Sequence, residues 1–251
     1  MTITRRNHGG GHSYQIDGAK VPGVTTILKM TPKPALIEWA GRVTAEYAVD
    51  YWDELAGLKP SERLRRLNRA RFEDRDTAAR RGTEVHRLAE QLVAGRQVTV
   101  PDPLADHVRS YIAWLDAWGI DPIGIELVVA NRTIGYCGTV DLICDMSGAT
   151  VLAEIKTSRS GVFSESALQA CAYQRAEVYV LPGDETEHPM SDWGIDQCVA
   201  VHVRSDGYDV RPLDTGPAVW SYYQHLVALH AADEDKAGWV GEAIEPLRAV
   251  S

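Results

Sequence analysis

The spacing of hydrophobic residues changes along the chain, from helical in the first half to alternating in the second. Over 34–51 apolar residues recur at helical spacing, and we expect these to face the core: Leu36, Trp39, Ala40, Val43 and Tyr47. A sparse, arginine-rich stretch over 61–81 leads into a helix that carries His86 and ends near Gly95. A further helix begins at 101–103 and continues through Trp118. The first 120 residues are therefore predicted to be mainly helical.

From residue 123 onwards the pattern is that of strands joined by short turns. Strands are predicted over 123–130, on both sides of Ser147-Gly148, and over 196–203 and 208–213, with helices over 164–181 and 218–232. This order of elements predicts one α/β domain spanning 1–251. A mixed sheet flanked by helices would occupy 121–232, and 1–120 would be a helical N-terminal elaboration.

The Ser147-Gly148 pair between two apolar runs is typical of a two-residue β-hairpin turn. Such a turn places Asp141 directly opposite Glu154, with their Cβ atoms roughly 4.5–5.5 Å apart. Lys156 lies two residues after Glu154 and therefore shares its face of the sheet. The other face is predicted to be apolar and to carry Val140, Leu142 and Cys144 against Val151, Ala153 and Ile155.

Two directly opposed carboxylates repel one another unless a cation lies between them. Hard divalent cations prefer carboxylate oxygens, and an ammonium beside such a pair lies within reach of a metal-bound water. A Glu-x-Lys pair is usually a solvated strand edge, but Glu154 and Lys156 interrupt an apolar run that leaves no solvated face. The pattern thus indicates a metal-dependent site for phosphodiester hydrolysis.

Four short motifs follow one another in order around this pair: Gly82-Thr83-Glu84-Val85-His86, Gly138-Thr139-Val140-Asp141, Glu154-Ile155-Lys156 and Gln169-Ala170-Cys171-Ala172-Tyr173. Together they resemble the core motifs of the PD-(D/E)xK nuclease superfamily, and within it the RecB-like and phage exonuclease branch. The resemblance extends over roughly residues 20–230. It implies a restriction-endonuclease-like core and a deoxyribonuclease that depends on Mg²⁺ or Mn²⁺.

The resemblance also implies roles for individual residues. Four of them would bind the metal: His86, Asp141, Glu154 and, through its carbonyl, Ile155. Lys156 would orient or deprotonate the attacking water, and Glu126 in the strand 123–130 is a candidate for an additional acid near the metal. Gln169 and Tyr173, one helical turn apart, either position the substrate or simply pack against their neighbours.

The formal net charge of −9 argues against a surface that coats DNA generally, but the charge is unevenly distributed. Residues 59–87 contain ten basic and five acidic side chains, which leaves this segment at +5 and the rest of the chain at −14. The segment is either a solvated helical face or a DNA-binding arm. The candidate phosphate-binding arginines are Arg63, Arg65, Arg66, Arg69, Arg80, Arg81 and, in the loop after Lys156, Arg159.

By the resemblance, the function is exonucleolytic hydrolysis of DNA in phage or bacterial recombination or repair. A restriction-type endonuclease shares the same core, and a DNA-binding module that has lost cleavage would be expected to lack one of Asp141, Glu154 and Lys156. A single-strand annealing protein or recombinase is implied as a partner by the same analogy alone.

The cysteine pattern and the hydropathy bear on which cofactors the protein is expected to bind and on its expected location in the cell. No two of the four cysteines form a Cys-x-x-Cys pair, and we expect them to be reduced and buried: Cys137, Cys144, Cys171 and Cys198. The four-cysteine arrangement of iron–sulfur relatives is missing from the sequence, so no such cluster is expected. No run approaches the ~20 apolar residues of a membrane span. We therefore expect a protein of the bacterial, or phage-infected, cytoplasm that does not enter the membrane.

Overall fold

A seven-stranded mixed β-sheet with helices on both faces organises the chain. A computed structural model describes residues 2–8, 11–158 and 160–243, and within these it leaves out the side chains of 73–79 and 237. The strands of this described part are β1 (Ile3–His8), β2 (Gly11–Ile16), β3 (Ala19–Val21), β4 (Asp121–Asn131), β5 (Tyr136–Met146), β6 (Ala149–Lys156), β7 (Val178–Val180), β8 (His188–Pro189), β9 (Gln197–Arg204) and β10 (Gly207–Leu213). Its α-helices are α1 (Val24–Ile27), α2 (Pro34–Asp50), α3 (Trp52–Ala56), α4 (Pro60–Val93), α5 (Ala105–Trp118), α6 (Glu165–Gln174) and α7 (Pro217–Asp235).

The large sheet has the strand order β10-β9-β6-β5-β4-β7-β8. Its neighbouring strands are antiparallel except β6 and β9, which are parallel because α6 lies in the crossover between them. The β5–β6 hairpin turns at Ser147 and Gly148, both with positive φ, as a two-residue turn requires. The predicted α/β class and mixed sheet are confirmed.

Two hydrophobic layers enclose this sheet. On one face, α1, α6 and α7 pack against Ile143 and Leu152. On the other face, α5 and the C-terminal half of α4 cover Leu142 and Val151, with Trp114 of α5 fully buried. The central strands β5 and β6 are therefore buried on both sides, which explains their nearly continuous apolar sequence.

The first three strands form a separate antiparallel sheet with the order β1-β2-β3. Its base packs against the large sheet, where Ile3 and Tyr14 contact Ala130, Cys137 and Val180. The sequence predicts that the N-terminal 120 residues are mainly helical, with a short strand over 13–16, and this strand is part of β2. The strands of this small sheet are short and mostly polar on their outer face, so their alternation is weak.

Two details of the predicted pattern are wrong. The residues of α2 expected in the core are exposed or half-buried, and Leu36 is 53% exposed. The main neighbour of this helix is α4 and not the sheet, so a large part of its surface is left uncovered. The helix expected over 164–181 ends at Gln174, and Val178–Val180 instead forms β7 beside β4. A run of apolar residues of this length does not distinguish a helical end from a short buried strand.

The four cysteines are free and buried, as predicted. Among the residues that the structure describes, no helix has the length and apolar character needed to span a membrane.

Candidate active site

Strands β5 and β6 separate at the predicted pair of acids. Their backbone pairing follows the predicted register from the turn up to Leu142 and Ala153. At the next position Asp141 Oδ2 accepts a hydrogen bond of 2.8 Å from the backbone N–H of Ile155. The carboxylate of Asp141 thus lies in the opening between the two strands, next to Glu154. The predicted register is confirmed from the turn to Leu142 and Ala153, and the backbone pairing ends before Asp141 and Glu154.

The regular alternation of β5 breaks at the same point. The pairing of β4 with β5 steps over Glu126 and Asp141, and Glu126 has a positive φ of 51°. As a consequence, Val140 packs in the cluster on the α6 side, whereas Leu142 and Cys144 pack on the α4 side. The expectation that these three share one face is therefore wrong. An irregularity of this kind redirects a side chain at a strand end, and here it directs Asp141 into the opening.

Helix α6 holds the Glu-x-Lys pair through a hydrogen-bonded network. Glu154 Oε1 accepts hydrogen bonds from Lys156 Nζ at 2.8 Å and from Gln169 Nε2 at 2.7 Å. Lys156 also donates to Gln169 Oε1 at 2.9 Å, and Gln169 Nε2 lies 2.9 Å from the hydroxyl of Tyr173. The structure thus brings together the four residues Glu154, Lys156, Gln169 and Tyr173.

The second oxygen of Glu154 is the most informative atom of the site. Glu154 is 3% exposed, and its Oε2 is buried without a hydrogen-bond partner among the described residues. An unpaired buried carboxylate oxygen is unfavourable, so a hydrogen-bond donor or a cation is expected next to it. In the described part of the chain, no three His, Cys, Asp or Glu side chains already converge with metal-binding geometry. The donor types nevertheless fit a hard divalent ion.

His86 approaches the acids from α4, on the layer opposite to α6. Its Nδ1 lies 3.6 Å from Asp141 Oδ2, and its imidazole also interacts with the backbone of Ile155. Four residues earlier on α4, Gly82 brings the helix close to the loop after Lys156, because a Cβ at that position would lie 3.0 Å from Thr157 Oγ1. The close approach of α4 at Gly82 thus places His86, one helical turn later, next to Asp141.

Burial shifts the protonation of the whole cluster. It raises the pKa of Asp141 to about 7, against the opposing effect of Lys156. Burial, followed by repulsion from Asp141, raises the pKa of Glu154 to about 7. Burial acts to lower the pKa of Lys156, but Glu154 and Asp141 outweigh it and the net shift is upward. Burial lowers the pKa of His86. At neutral pH the cluster therefore combines a charged lysine with acids that hold protons readily.

These shifts predict a pH dependence of stability in EDTA. Both acids have folded-state pKa values above their unfolded values near 4. The folded protein is therefore stabilised while the two carboxyl groups are protonated, and this stabilisation is lost as pH rises through about 7. The shift of His86 acts in the opposite direction, mainly below about pH 6.5. The free energy of unfolding should fall between about pH 6.5 and 8, by on the order of 1 kcal/mol per pH unit. Urea unfolding at several pH values measures it, and stability that rises over this range would contradict the assignment.

The glycine of the Gly-x-x-Asp motif has a steric explanation. A Cβ on Gly138 would lie 2.3 Å from Tyr173 Cε1 and 3.2 Å from a methyl carbon of Val24. The ring of Tyr173 thus lies directly on the backbone of β5, where its hydroxyl meets Gln169. Two motifs far apart in sequence are parts of one contact.

Gly138→Ala should therefore destabilise the protein by about 1–3 kcal/mol, because the Tyr173 ring has to move within a filled core. Urea unfolding beside Gly41→Ala provides the comparison, since a Cβ on Gly41 of α2 meets no atom within 4 Å. Equal stability of Gly138→Ala and wild type would show that the ring shifts without strain.

A cleft of about 1140 Å³ opens above the acids. Its lining includes residues that sequence analysis did not single out: Arg5, Asn7, His12, Tyr14 and Glu90. Glu90 lies one helical turn after His86, so the two side chains share a face of α4. This spacing is the sequence feature that could have predicted Glu90 at the cleft. A void of about 10 Å³, close to the size of one water, adjoins Glu90, Glu126, Asp141 and Ile155. The candidate acid Glu126 therefore borders the site, although its pKa is raised by burial and it pairs with Arg5.

The arginines of α4 have different surroundings along the helix. Arg63 donates hydrogen bonds to the carbonyls of Leu55, Ala56 and Leu58 at the end of α3. Arg65 pairs with Glu62 at 3.4 Å, and Arg66 pairs with Glu54 at 3.5 Å. These residues, like Arg69, belong to the N-terminal half of the 34-residue helix, away from the acids.

The remaining candidate arginines lie nearer the site. Arg80 lines the cleft. The next residue, Arg81, is half-buried. Arg159 lies outside the described residues. Arg80 is therefore the best placed of the described candidates to contact a phosphate near Asp141.

The fold and the site define an α/β protein whose mixed sheet carries a buried acid, Glu154, next to the partly buried Asp141 and Lys156, with Asp141 lining a wide cleft. A scan against protein-family models and a search of curated proteins both return no match.

Proposed function

We propose that this protein is a metal-dependent deoxyribonuclease with a restriction-endonuclease-like core, of the PD-(D/E)xK superfamily, that degrades DNA from an end. The observation that carries the proposal is the buried Glu154 with its unpaired Oε2, hydrogen-bonded to Lys156 and close to Asp141, which lines the cleft. A structural ion pair of Glu154 and Lys156 would not need a second acid, Asp141, in the same opening.

A Mg²⁺ or Mn²⁺ ion would be held by Asp141, Glu154, the carbonyl of Ile155 and His86. When bound, the ion lowers the pKa of a coordinated water and neutralises charge on the phosphate. His86 suits this role because burial keeps its imidazole neutral, as a ligand must be. Glu154 Oε2 has no competing partner among the described residues, so binding would break no hydrogen bond there.

Lys156 would act as an ammonium donor to the attacking water or the phosphate. Its raised pKa keeps it charged at neutral pH, which excludes the free amine as the main base. Lys156 is held by Glu154 and Gln169, and Gln169 is fixed in turn by the hydroxyl of Tyr173. Gln169 and Tyr173 would therefore position Lys156 rather than contact the reacting atoms. This arrangement favours the orienting role of Lys156 over proton abstraction.

The cleft would bind the DNA backbone through Arg80. We expect Arg80→Gln to weaken DNA binding in Ca²⁺ by about tenfold, since a charge-assisted hydrogen bond to phosphate is lost. Arg65→Gln is the matched control, because Arg65 lies on the same helix roughly 22 Å away at 1.5 Å per residue. Fluorescence anisotropy with a labelled oligonucleotide measures both. Equal effects of the two substitutions would mean that α4 contributes only a diffuse charge.

Digestion of linear and of closed-circular DNA tests the function itself. We expect degradation of linear DNA in Mg²⁺ or Mn²⁺, no degradation in EDTA, and resistance of the closed circle. Cutting of the circle at discrete positions would identify a restriction-type endonuclease with the same core. Binding of DNA without any cleavage would identify an inactive binding module, and it would overturn the proposal.

A further inference from the structure

The hairpin of β1 and β2 forms one wall of the cleft, and α4 forms another. The hairpin residues that line the cleft are Gly11 and two cross-strand pairs: Arg5 with Tyr14, and Asn7 with His12. Residues directly opposite each other in an antiparallel pair project from the same face. One face of the hairpin is therefore polar and turned towards the acids.

This wall is fixed to the sheet that carries the acids. Tyr14 is buried, and its hydroxyl lies 2.8 Å from the hydroxyl of Thr139, two residues before Asp141. At the base, Ile3 packs into the small cluster that joins the hairpin to β5. The side chains further along the hairpin are consequently held at a defined distance from the site.

Arg5 contacts one of the acids that line the cleft, Glu126. Its Nη1 donates a hydrogen bond of 3.0 Å to Glu126 Oε2, and both side chains are about one quarter exposed, at 27% and 24%. Its Nε is buried and has no acceptor among the described residues. The guanidinium also lies near enough to Asp141 to act on its carboxylate. A buried donor without an acceptor is unfavourable, so a missing acceptor is expected at this position.

We propose that Arg5 binds the phosphate at which the DNA is cleaved, with Nε and an adjacent Nη as a two-pronged donor, and that Glu126 is its partner only while DNA is absent. This inference rests on the proposed nuclease function, since a phosphodiester in the cleft is the ligand. Guanidinium and phosphate match in geometry, which favours such a bidentate contact. The phosphate supplies the acceptor that Arg5 Nε lacks.

The alternative is that Arg5 and Glu126 merely fasten the hairpin to β4. The adjacent Arg6 separates the two possibilities, because it lies on the opposite face of β1, is exposed and carries the same charge. Arg5→Gln and Arg6→Gln therefore change the net charge equally. Only the first removes a side chain that faces the acids.

The test compares wild type, Arg5→Gln, Arg5→Lys and Arg6→Gln. Binding of a labelled single-stranded oligonucleotide is measured in Ca²⁺ over a series of salt concentrations, and cleavage is measured at saturating DNA in Mg²⁺. For Arg5→Gln we expect the slope of log affinity against log salt to fall by about 0.7, the contribution of one phosphate contact, and cleavage to slow by about 10²-fold. Arg6→Gln should match wild type in cleavage.

The salt slope is decisive, because a purely structural fastening would change thermal stability and leave the slope unaltered. If Arg5→Gln does not fold, the test uses Arg5→Lys instead. This variant should keep the wild-type slope of log affinity against log salt, because the charge is retained. It should cleave at least about tenfold more slowly than wild type, because lysine lacks the two-donor guanidinium group. Arg5 variants that match Arg6→Gln, while wild type cleaves DNA, would overturn this inference alone. A wild type that cleaves no DNA in Mg²⁺ or Mn²⁺ would overturn the proposed function as well.

Discussion

Glu154→Gln should lose DNA cleavage by about 10³-fold and yet remain as stable as wild type in EDTA. The amide oxygen keeps the acceptor position that Lys156 and Gln169 occupy, and the amide nitrogen replaces the unpaired Oε2. Removing the charge also removes repulsion from Asp141. The neutral side chain, however, supplies no anionic ligand, so Ca²⁺ should raise the melting temperature of wild type but not that of Glu154→Gln.

Asp145→Asn is the matched control for this substitution. Asp145 lies on the same strand, roughly 13 Å from Asp141 at ~3.3 Å per residue, and its Oδ1 accepts a hydrogen bond from the Gly148 N–H that asparagine can keep. It should cleave DNA and respond to Ca²⁺ as wild type does. If Glu154→Gln behaves like Asp145→Asn in both assays, Glu154 is a structural residue.

Lys156→Ala should bind DNA in Ca²⁺ with nearly normal affinity and cleave it about 10²–10³-fold more slowly in Mg²⁺. On the proposed mechanism the ammonium would stabilise charge that develops during attack, whereas the metal would compensate Glu154, the acid that Lys156 contacts. The comparison with Lys20→Ala, which removes an exposed lysine of β3, corrects for the loss of one positive charge.

Folding has to be separated from chemistry in this variant, because Lys156 is hydrogen-bonded to two buried side chains. Lys156→Met keeps the length of the side chain and should show the same loss of turnover. Cleavage at the wild-type rate by either variant would refute the role of the Glu-x-Lys pair. Loss of folding in both would make Lys156 a structural residue.

The centre of the site could be read from the sequence because local rules determine it. The two-residue turn at Ser147 and Gly148 sets the register of β5 and β6 up to Leu142 and Ala153, and Asp141 and Glu154 are the next residues on the two strands. The strand period then places Lys156 beside Glu154, as the 2.8 Å contact shows. Gln169 and Tyr173 are one helical turn apart on α6, and this spacing allows the hydrogen bond between their side chains.

The rest depends on contacts between residues far apart in the chain. No local pattern shows that Arg5 meets Glu126, 121 residues later, or that Tyr14 meets Thr139. The face change of β5 follows from the unusual backbone of Glu126, which strict alternation does not anticipate. The exposed side of α2 was missed for a similar reason, since periodicity shows that a helix has an apolar face but not whether the protein covers it.

The most direct test of the account is the cleavage of end-labelled linear DNA, single- and double-stranded, by wild type, Lys156→Ala and Asp145→Asn prepared in parallel. In Mg²⁺ or Mn²⁺, wild type and Asp145→Asn should shorten the DNA at the same rate, Lys156→Ala should be slower by at least about 10²-fold, and EDTA should stop all three. Cleavage that persists in EDTA or at full rate in Lys156→Ala would contradict the account. So would a wild type that leaves both DNA forms intact in both metals.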